Sequence, residues 1–295
     1  MSWRIVSVAK RAYISTSQNQ MVIKNGEGDF RIPLEDIGTI ILEDHSITAT
    51  NAFLSSCAEH KIAVLLCDNK HLPNAVLLPY QQHSRQSAVL KKQIGLSKPF
   101  QKRLWQKIVK QKIINQSEVI SVCCKDAAEK LLSYSCKVGS GDPNNREATA
   151  ARLYFSVLLP DGITRGTEHP VNSALNYGYA IVRGVVARSL AGYGFLTSLG
   201  INHINELNNY ALADDLLEPF RPFVDWLVRK INLTKDDSLT VEHRQYLQQV
   251  LTLPVSINKQ KQTLQRAVEI SAQSLVSAVD TKDPELLLLP SLTYD

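Results

Sequence analysis

The sequence predicts an α+β protein in which a small N-terminal β-sheet domain, sandwich-like, precedes a larger all-α domain. The first eighty residues consist of short apolar segments rich in β-branched residues, whereas the later residues follow helical periods. A chain of 295 residues with 44% hydrophobic residues is long enough for two such domains. We therefore expect a β-sheet domain at 1–80, a linker at 79–84, a helical domain at 85–282 and a C-terminal tail at 283–295.

Short segments of the first domain have the composition of strands. They are Arg4–Val8, Ala12–Thr16, Met21–Lys24, Phe30–Ile32, Thr39–Leu42, Ala63–Leu66 and Ala75–Leu78. Asn25–Gly28 predicts a hairpin turn between two of them, and Thr50–His60 predicts a single helix. This pattern is typical of a small sandwich or a split sheet.

The second domain is predicted to be helical throughout. Its helices are expected to begin near Arg85, Phe100, Val122, Asn144, Asn172, Ala211, Thr240 and Lys259. The leucines of the tail, Leu286–Leu289, either pack on the protein's own surface or dock a partner. Because the sequence has neither a signal peptide nor an apolar run of about eighteen residues, we expect a cytoplasmic protein with no membrane contact.

Positive charge is concentrated in one block of the chain. Between positions 68 and 118 there is no Asp or Glu, although ten of the 33 Lys and Arg residues fall there. The remaining 23 oppose all 28 acidic residues, so the rest of the chain carries a net charge of −5. A helix over Phe100–Asn115 would place Arg103, Lys107 and Lys110 opposite an apolar face. Such a block attracts polyanions, and we expect nucleic-acid contact rather than a merely solvated lysine face.

A histidine and three carboxylates are clustered in Gly200–Pro222. His203 is followed there by Asp214, Asp215 and Glu218. On a helix the three acids lie towards one face, where they repel one another unless a cation sits among them. Two prolines after the cluster would kink that helix. The segment predicts half of a metal site, although on composition alone an acidic helix end beside an unrelated loop histidine is the simpler explanation.

Glu147 is the candidate for the missing ligand. Asp142 and Pro143 are typical of a helix start, which places Glu147 in the first turns beside the small residues Ala150 and Ala151. A carboxylate at this position either favours the helix dipole or, if it is buried, needs an ion partner or a metal.

Glu147, His203 and Glu218 together would supply two carboxylates and one imidazole. Oxygen ligands suit Mg²⁺ and Mn²⁺, and the imidazole favours Mn²⁺. Beside a basic helix, such an ion would serve phosphoryl transfer on nucleic acid. The sequence contains no Walker loop, dinucleotide-binding glycine motif or Gly-x-Ser-x-Gly elbow that would support another chemistry.

Three strings in this region resemble the CRISPR-associated spacer-acquisition integrases, the universal CRISPR adaptation endonuclease family. They are Asp142–Phe155, Ala174–Ala180 and Gly200–Pro222. Together with the order of sheet domain and helical domain, the resemblance covers essentially the whole chain. The spacing of fifteen residues from His203 to Glu218, with glutamate as the last ligand, is similar to the form that accompanies type II systems.

The resemblance implies a divalent-metal-dependent DNA endonuclease and integrase of antiviral CRISPR adaptation, with Mg²⁺ or Mn²⁺ as cofactor. It would join the 3′-hydroxyl ends of short duplex DNA into a CRISPR repeat array by transesterification. The implied partners are prespacer and repeat DNA, a second copy in a homodimer, and a small ferredoxin-like adaptation protein. We expect the exposed apolar strands of the β-sheet domain to form the dimer contact. For a type II-like form, the effector nuclease and an accessory adaptation protein join them.

The family's catalytic and metal-binding residues fall on Glu147, His203 and Glu218 of this chain, with Asp215 as a secondary acid. Many relatives carry a second histidine just before the first, where this chain has Asn202. The metal ligand stays in place, but the auxiliary proton-transfer role of that neighbouring position is not carried over.

The expected DNA contacts are basic side chains of the block and of the segments that carry the ligands. They are Arg85, Lys91, Lys92, Lys102, Arg103, Lys107, Lys110, Arg146, Arg152 and Arg221. Asp214, the remaining acid of the cluster, is expected to be a surface charge.

Two other functions are compatible with the same sequence. A metal-dependent DNA endonuclease that only hydrolyses would share the metal site, whereas a non-catalytic DNA-binding scaffold would use the carboxylates structurally. Joined products from a 3′-hydroxyl duplex and a supercoiled target separate the integrase from the hydrolase. Activity that survives Glu147→Ala would favour the scaffold.

Overall fold

The structure, a computed structural model, falls into two units that are described separately below. The units are Met1–Gln82 and His83–Asp295. The residues described are 4–78, 86–203, 205–231, 233–235 and 237–292. The predicted linker at 79–84 and the predicted DNA contact Arg85 lie outside them.

The N-terminal unit contains two four-stranded sheets and a helix. Its elements are β1 (Arg4–Val8), β2 (Tyr13–Ser17), β3 (Gln20–Asn25), β4 (Gly28–Pro33), β5 (Ile37–Leu42), β6 (Thr48–Ala49), α1 (Asn51–Glu59), β7 (Ala63–Cys67) and β8 (Pro73–Val76). One sheet has the order β1-β5-β7-β8 and the other has the order β4-β3-β2-β6. Strands β1, β5 and β7 are parallel, whereas β2, β3 and β4 form an antiparallel meander. The predicted hairpin is confirmed, since Asn25 pairs with Gly28 across the turn from β3 to β4.

The two sheets share one hydrophobic core. Ile14 and Met21 of the meander and Ile40 of β5 belong to the same buried cluster. Every residue of β5 is buried, as expected for a central strand covered on both faces. Helix α1 adds Phe53 and Cys57 to this core. The predicted sandwich-like β-sheet domain is therefore confirmed.

The C-terminal unit is mainly helical. Its helices are α2 (Gln86–Ile94), α3 (Lys98–Ser121), α4 (Lys125–Cys136), α5 (Arg146–Leu158), α6 (Pro170–Gly192), α7 (Ala211–Leu217), α8 (Arg221–Val228), α9 (Val241–Gln248) and α10 (Leu264–Thr281). Helix α3 packs against α4, α5 and α8, and α6 packs against α7, α8, α9 and α10. None of the described helices is long and apolar enough to span a bilayer.

A β-hairpin interrupts the helical unit where a helix was predicted to begin near Lys259. Strands β9 (Pro254–Ile257) and β10 (Gln260–Thr263) pair in antiparallel fashion, and α10 begins only after them. The two turn residues, Asn258 and Lys259, both have positive φ, which is the geometry of a tight hairpin turn. The predicted helix start is wrong because Val255 and Ile257 are buried at alternate positions. This is the period of a strand, not the period of about 3.6 residues of a helix.

The described part of the C-terminal tail packs on the unit that carries it. Leu287 is buried, and Ser291 pairs with Ser256 of β9. Asn115 of α3 donates to the carbonyl of Pro290 and accepts from the backbone N–H of Leu292. Of the two alternatives for the tail leucines, packing on the protein's own surface is the one observed for this part of the tail.

Candidate active site

Asp215 of α7 anchors the loop that carries His203. Its carboxylate is fully buried, and Oδ2 accepts from the backbone N–H groups of Ile201 at 2.5 Å and Asn202 at 3.0 Å. Oδ1 accepts from the backbone N–H of His203 at 3.2 Å and lies 2.6 Å from Nδ1 of the same residue. This hydrogen bond raises the pKa of His203. The predicted secondary acid thus lies directly behind the imidazole and fixes its orientation.

Gly200 allows the loop to close over Asp215. A Cβ at this position would run into the carbonyl oxygen of His203 and would lie 2.9 Å from Asp215 Oδ2. The His203 ring also makes a T-shaped contact with Trp105 of α3, at a centroid distance of 5.6 Å. The imidazole therefore contacts both a buried carboxylate and an aromatic ring.

Glu218 lies at the break between α7 and α8. Helix α7 ends at Leu217, and Glu218–Phe220 forms a single 3₁₀ turn before α8 begins. Pro219 cannot donate a backbone hydrogen bond, and the α-helix is interrupted at this proline by the 3₁₀ turn. The carbonyl of Pro219 accepts instead from Asn115 Nδ2 at 2.8 Å. The break places the Glu218 side chain in the buried interior rather than on a solvated helix end.

Glu147 lies in the first turn of α5. The helix begins at Arg146, three residues later than Pro143 suggests, because Asn145 adopts a left-handed conformation with φ 48°. Asp142 still caps the helix, and its carboxylate accepts from the backbone N–H groups of Arg146 and Glu147 at 2.9 Å each. Asp142 thus satisfies two backbone N–H groups of the turn that carries Glu147.

Lys112 of α3 connects the two glutamates. Its Nζ lies 2.7 Å from Glu147 Oε1 and 2.5 Å from Glu218 Oε2. Arg221 Nε donates to the other oxygen of Glu218 at 2.9 Å. Burial alone would raise the pKa of Glu218, but the charges of Lys112 and Arg221 outweigh it and lower the pKa to about 2. Glu218 is therefore ionised, and both glutamates contact the same ammonium.

The positions of Glu147, His203 and Glu218 can be compared with what a metal ion needs. Within the part of the chain that the structure describes, no three His, Cys, Asp or Glu side chains are close enough to hold a metal ion together. Glu147 and Glu218 nevertheless direct one oxygen each at a single cation, the ammonium of Lys112. Two converging carboxylate oxygens are the donors that Mg²⁺ and Mn²⁺ prefer. This pair fits a divalent ion, and the lysine occupies the position where the oxygens meet.

A pocket of about 360 Å³ opens beside these residues. His203 and Glu218 line it together with the three arginines Arg165, Arg183 and Arg221. Three guanidinium groups around one pocket, next to an imidazole and a buried carboxylate, are typical of sites that bind phosphate esters.

Asp214 also lines the pocket and is not the surface charge predicted from the sequence. Both of its oxygens accept from Arg183, at 2.7 Å from Nε and 2.9 Å from Nη2. Asn208 donates to the same carboxylate at 2.7 Å. The prediction was wrong because the partner is on α6, far from Asp214 in the sequence.

Arg165 lines the pocket and makes its hydrogen bonds to neutral side chains. Its guanidinium donates to the neutral side-chain oxygens of Asn172 and Asn176 and lies over the ring of Tyr179. Tyr179 in turn donates to the buried Asp225. Its hydrogen bonds are thus made to amide oxygens and not to a carboxylate.

The predicted DNA contacts have mixed surroundings. Lys91, Lys102, Arg103 and Arg152 are exposed, and Lys110 is half-buried. Two others are already engaged with acids that lie far away in the sequence. Lys92 pairs with Asp280 at 2.8 Å, and Lys107 pairs with Glu285 at 2.9 Å. The basic block contains no acid in its own stretch of sequence, but acids from the C-terminal part of the chain contact it in the folded structure.

Three site residues were not assigned from the sequence: Lys112, Arg165 and Arg183. A signal was available for Lys112, since it lies one helical turn after Ile108 and so shares the apolar face of α3. Arg165 comes from a loop, and nothing in its neighbourhood distinguishes it. Arg183 could be found only through Asp214, because tertiary packing brings the two together.

Clustered carboxylates, a histidine and arginines in a helical unit define a class of enzymes that act on phosphate esters. The family model for CRISPR associated protein Cas1 matches residues 5–260. The CRISPR-associated endonuclease Cas1 of Neisseria meningitidis serogroup C is 39% identical over 297 residues, covering 99% of this chain and 97% of that protein. The chain therefore belongs to the Cas1 family of CRISPR-associated endonucleases.

Solved structures agree with this assignment at the level of the fold. A Cas1 protein from Thermotoga maritima superposes with a TM-score of 0.74 at 16% identity, over 94% of this chain and 97% of that one. A casposase bound to an integration product reaches the same TM-score at 18% identity, over 96% of this chain and 91% of that one. The order of β-sheet unit and helical unit is therefore shared with these proteins.

Proposed function

We propose that this protein is the DNA integrase of a CRISPR adaptation system. It joins the 3′-hydroxyl ends of short duplex DNA to a repeat by transesterification, in the cytoplasm of a prokaryote. The observation that carries the proposal is that Glu147 and Glu218 direct one oxygen each at the same ammonium, while Glu218 and His203 line one arginine-rich pocket. The casposase neighbour, whose structure contains an integration product, supports this chemistry over simple cleavage.

Glu147, Glu218 and His203 would hold a Mg²⁺ or Mn²⁺ ion. When bound, such an ion polarises the target phosphodiester and stabilises the leaving oxygen. Asp215 keeps His203 in one orientation through the hydrogen bond to Nδ1, so that Nε2 is the nitrogen left for ligation or proton transfer.

The arginines of the pocket would bind the phosphates on either side of the reacting bond. Arg165 is the best placed for this, because its hydrogen-bond partners are neutral amides. Arg146, at the start of α5, has a buried Nε without a hydrogen-bond partner among the described residues. Such a donor gains free energy when a phosphate oxygen reaches it.

The first experiment measures joining directly. The protein, its small ferredoxin-like adaptation partner, a duplex with free 3′-hydroxyl ends and a supercoiled repeat plasmid are incubated with Mn²⁺. We expect joined products from the wild type and none from His203→Ala, with DNA binding preserved in the variant. Hydrolysis without joining would support the endonuclease alternative, and activity in Glu147→Ala would support the scaffold alternative.

The second experiment tests the basic surface of α3. The triple variant Arg103→Ala, Lys107→Ala and Lys110→Ala should bind duplex DNA with a shallower salt dependence. Each lost phosphate contact lowers the slope by about 0.9, and because Lys107 already pairs with Glu285 we expect a change of about 2. Lys10→Ala with Lys24→Ala, which removes two paired lysines of the N-terminal unit, is the control. An unchanged slope in the triple variant contradicts the assignment.

The proposed assembly is a homodimer, held through the β-sheet unit, that binds the adaptation partner. In a type II-like system the effector nuclease and an accessory adaptation protein would join it. Two of the structural neighbours come from Cas6-RT-Cas1–Cas2 complexes, in which a Cas1 protein is assembled with Cas2. Light scattering of this protein alone and mixed with the partner tests the assembly, and a monomer that does not bind the partner would contradict it.

A further inference from the structure

Lys112 is an unusual residue to find between two glutamates proposed as metal ligands. Its side chain is 11% exposed, and its ammonium lies within 2.7 Å of an oxygen from each glutamate. The stem runs along the apolar face of α3, next to the turn that contains Ile108 and Val109. A lysine in this position is placed by packing and is not a solvated surface group.

The charges around Lys112 balance without any further ion. Glu147 and Glu218 supply two negative charges, and Lys112 and Arg221 supply two positive charges. A divalent ion on the same two oxygens would add two positive charges a few ångströms from the ammonium. The repulsion between like charges at such a distance in a buried site is large. The ion and the ammonium therefore compete for the same oxygens.

A lysine is suited to leave such a position. Its charge is on a flexible four-carbon stem, so the ammonium can move by several ångströms while α3 stays in place. The neighbouring Arg221 is held differently, since its guanidinium lies over the ring of Tyr179 and its Nε binds the other oxygen of Glu218. Of the two cations on Glu218, the lysine is the one that can be exchanged.

We propose that Lys112 is an internal substitute for the metal ion. It neutralises Glu147 and Glu218 while no ion is bound, and it must withdraw before a divalent ion binds there. This inference rests on the proposed metal site. It assigns to Lys112 the control of metal affinity and of the stability of the metal-free protein. The alternative is a permanent ion pair between Lys112 and Glu218 that stays in place when metal binds.

The expected change in metal affinity follows from the fraction of time that the Lys112 ammonium occupies the carboxylate oxygens. If the ammonium occupies the oxygens for nine-tenths of the time, the apparent metal affinity is reduced about tenfold. Removing the charge also removes the repulsion against the incoming ion. We therefore expect Lys112→Met to bind Mn²⁺ at least about tenfold more tightly than the wild type.

The experiment is a Mn²⁺ titration of the full chain, followed by electron paramagnetic resonance of the free ion. Lys98→Met is the matched control, because it removes the same charge from the exposed start of the same helix. The control should bind Mn²⁺ as the wild type does. Thermal unfolding is measured in parallel. We expect Lys112→Met to melt below the wild type in chelator, and to gain more from Mn²⁺ than the wild type gains.

Each outcome decides between the alternatives. Tighter Mn²⁺ binding by Lys112→Met supports the substitution, and equal or weaker binding by the folded variant overturns it. If Lys112→Met is unfolded without metal, Lys112→Gln is titrated instead, with the same two outcomes. Glu218→Gln identifies the site. If the wild type binds Mn²⁺ and Glu218→Gln does not weaken that binding, the proposed metal site itself is wrong, which is distinct from a failure of the lysine's role.

Discussion

Replacing Asp215 by asparagine tests the construction of the site most directly, because the two side chains have the same shape. The carboxylate accepts from three backbone N–H groups and lies against Nδ1 of His203. An amide has only one acceptor oxygen. If the NH₂ group of the new amide faced Ile201 and Asn202, the two backbone N–H groups would point at another donor instead of an acceptor. Neither backbone group can rotate away. The NH₂ group is therefore expected to face His203.

That orientation has two consequences. The backbone N–H of His203 loses its acceptor, and the remaining bonds lose the strength that the negative charge supplies. With charge-assisted bonds contributing roughly 1.5–3 kcal/mol each, the free energy of unfolding should fall by about 3 kcal/mol. The second consequence is chemical. Nδ1 of His203 must become an acceptor, so its proton moves to Nε2, and the nitrogen left for ligation or proton transfer is no longer available.

The assays follow from these two consequences. Urea unfolding should give the loss of about 3 kcal/mol, and the melting temperature should fall by roughly 6–12 °C. DNA joining should fall by about 10–100-fold in protein that is still folded. The pKa of His203, followed by NMR, should fall because the hydrogen bond that raises it is weakened. Asp214→Asn is the control. It changes the neighbouring acid, whose partner Arg183 is partly exposed, and should cost about 1 kcal/mol or less.

The reasoning would be refuted by an Asp215→Asn protein that melts within about 2 °C of the wild type and joins DNA normally. A variant that is inactive but retains the wild-type pKa of His203 would also contradict it, since the loss of activity would then have another cause.

Three further predictions concern the packing around the site. Burial raises the pKa of Asp225 to about 6, above its ordinary value of 3.8. The folded protein therefore binds more protons than the unfolded chain, and its stability falls as the pH rises from about 4 through 6. Asp225→Asn should remove up to about 3 kcal/mol of that pH dependence in urea unfolding, and an unchanged profile would contradict the assignment. Gly178→Ala places a Cβ against Val224 and should lower the free energy of unfolding by about 1–3 kcal/mol. Adding Val224→Ala should restore the stability, and a failure to do so would mean that this contact is not the cause. Asn115→Ala removes four hydrogen bonds, two of them to the tail, and should speed hydrogen exchange at the amide of Leu292. That rate would stay unchanged if the tail were held by its leucines alone.

Much of the fold could be predicted from the chain because the relevant forces are local. The period-two pattern of the first domain, the turn at Asn25–Gly28 and the long apolar face of α3 each depend on neighbouring residues. The break at Pro219 is of the same kind, since proline cannot donate to the preceding turn. The hairpin before α10 was missed because its strands are only four residues long.

The sequence by itself determined the chemistry that this protein brings together. The histidine, the acids, the basic block and the order of the two units can all be read without coordinates. Only the tertiary structure decided how those charges are paired. Lys112 points inward between Glu147 and Glu218, and Asp214 holds Arg183. These pairs join residues that are far apart in the chain. Which opposite charges meet depends on how helices pack, and one sequence alone carries no direct record of that.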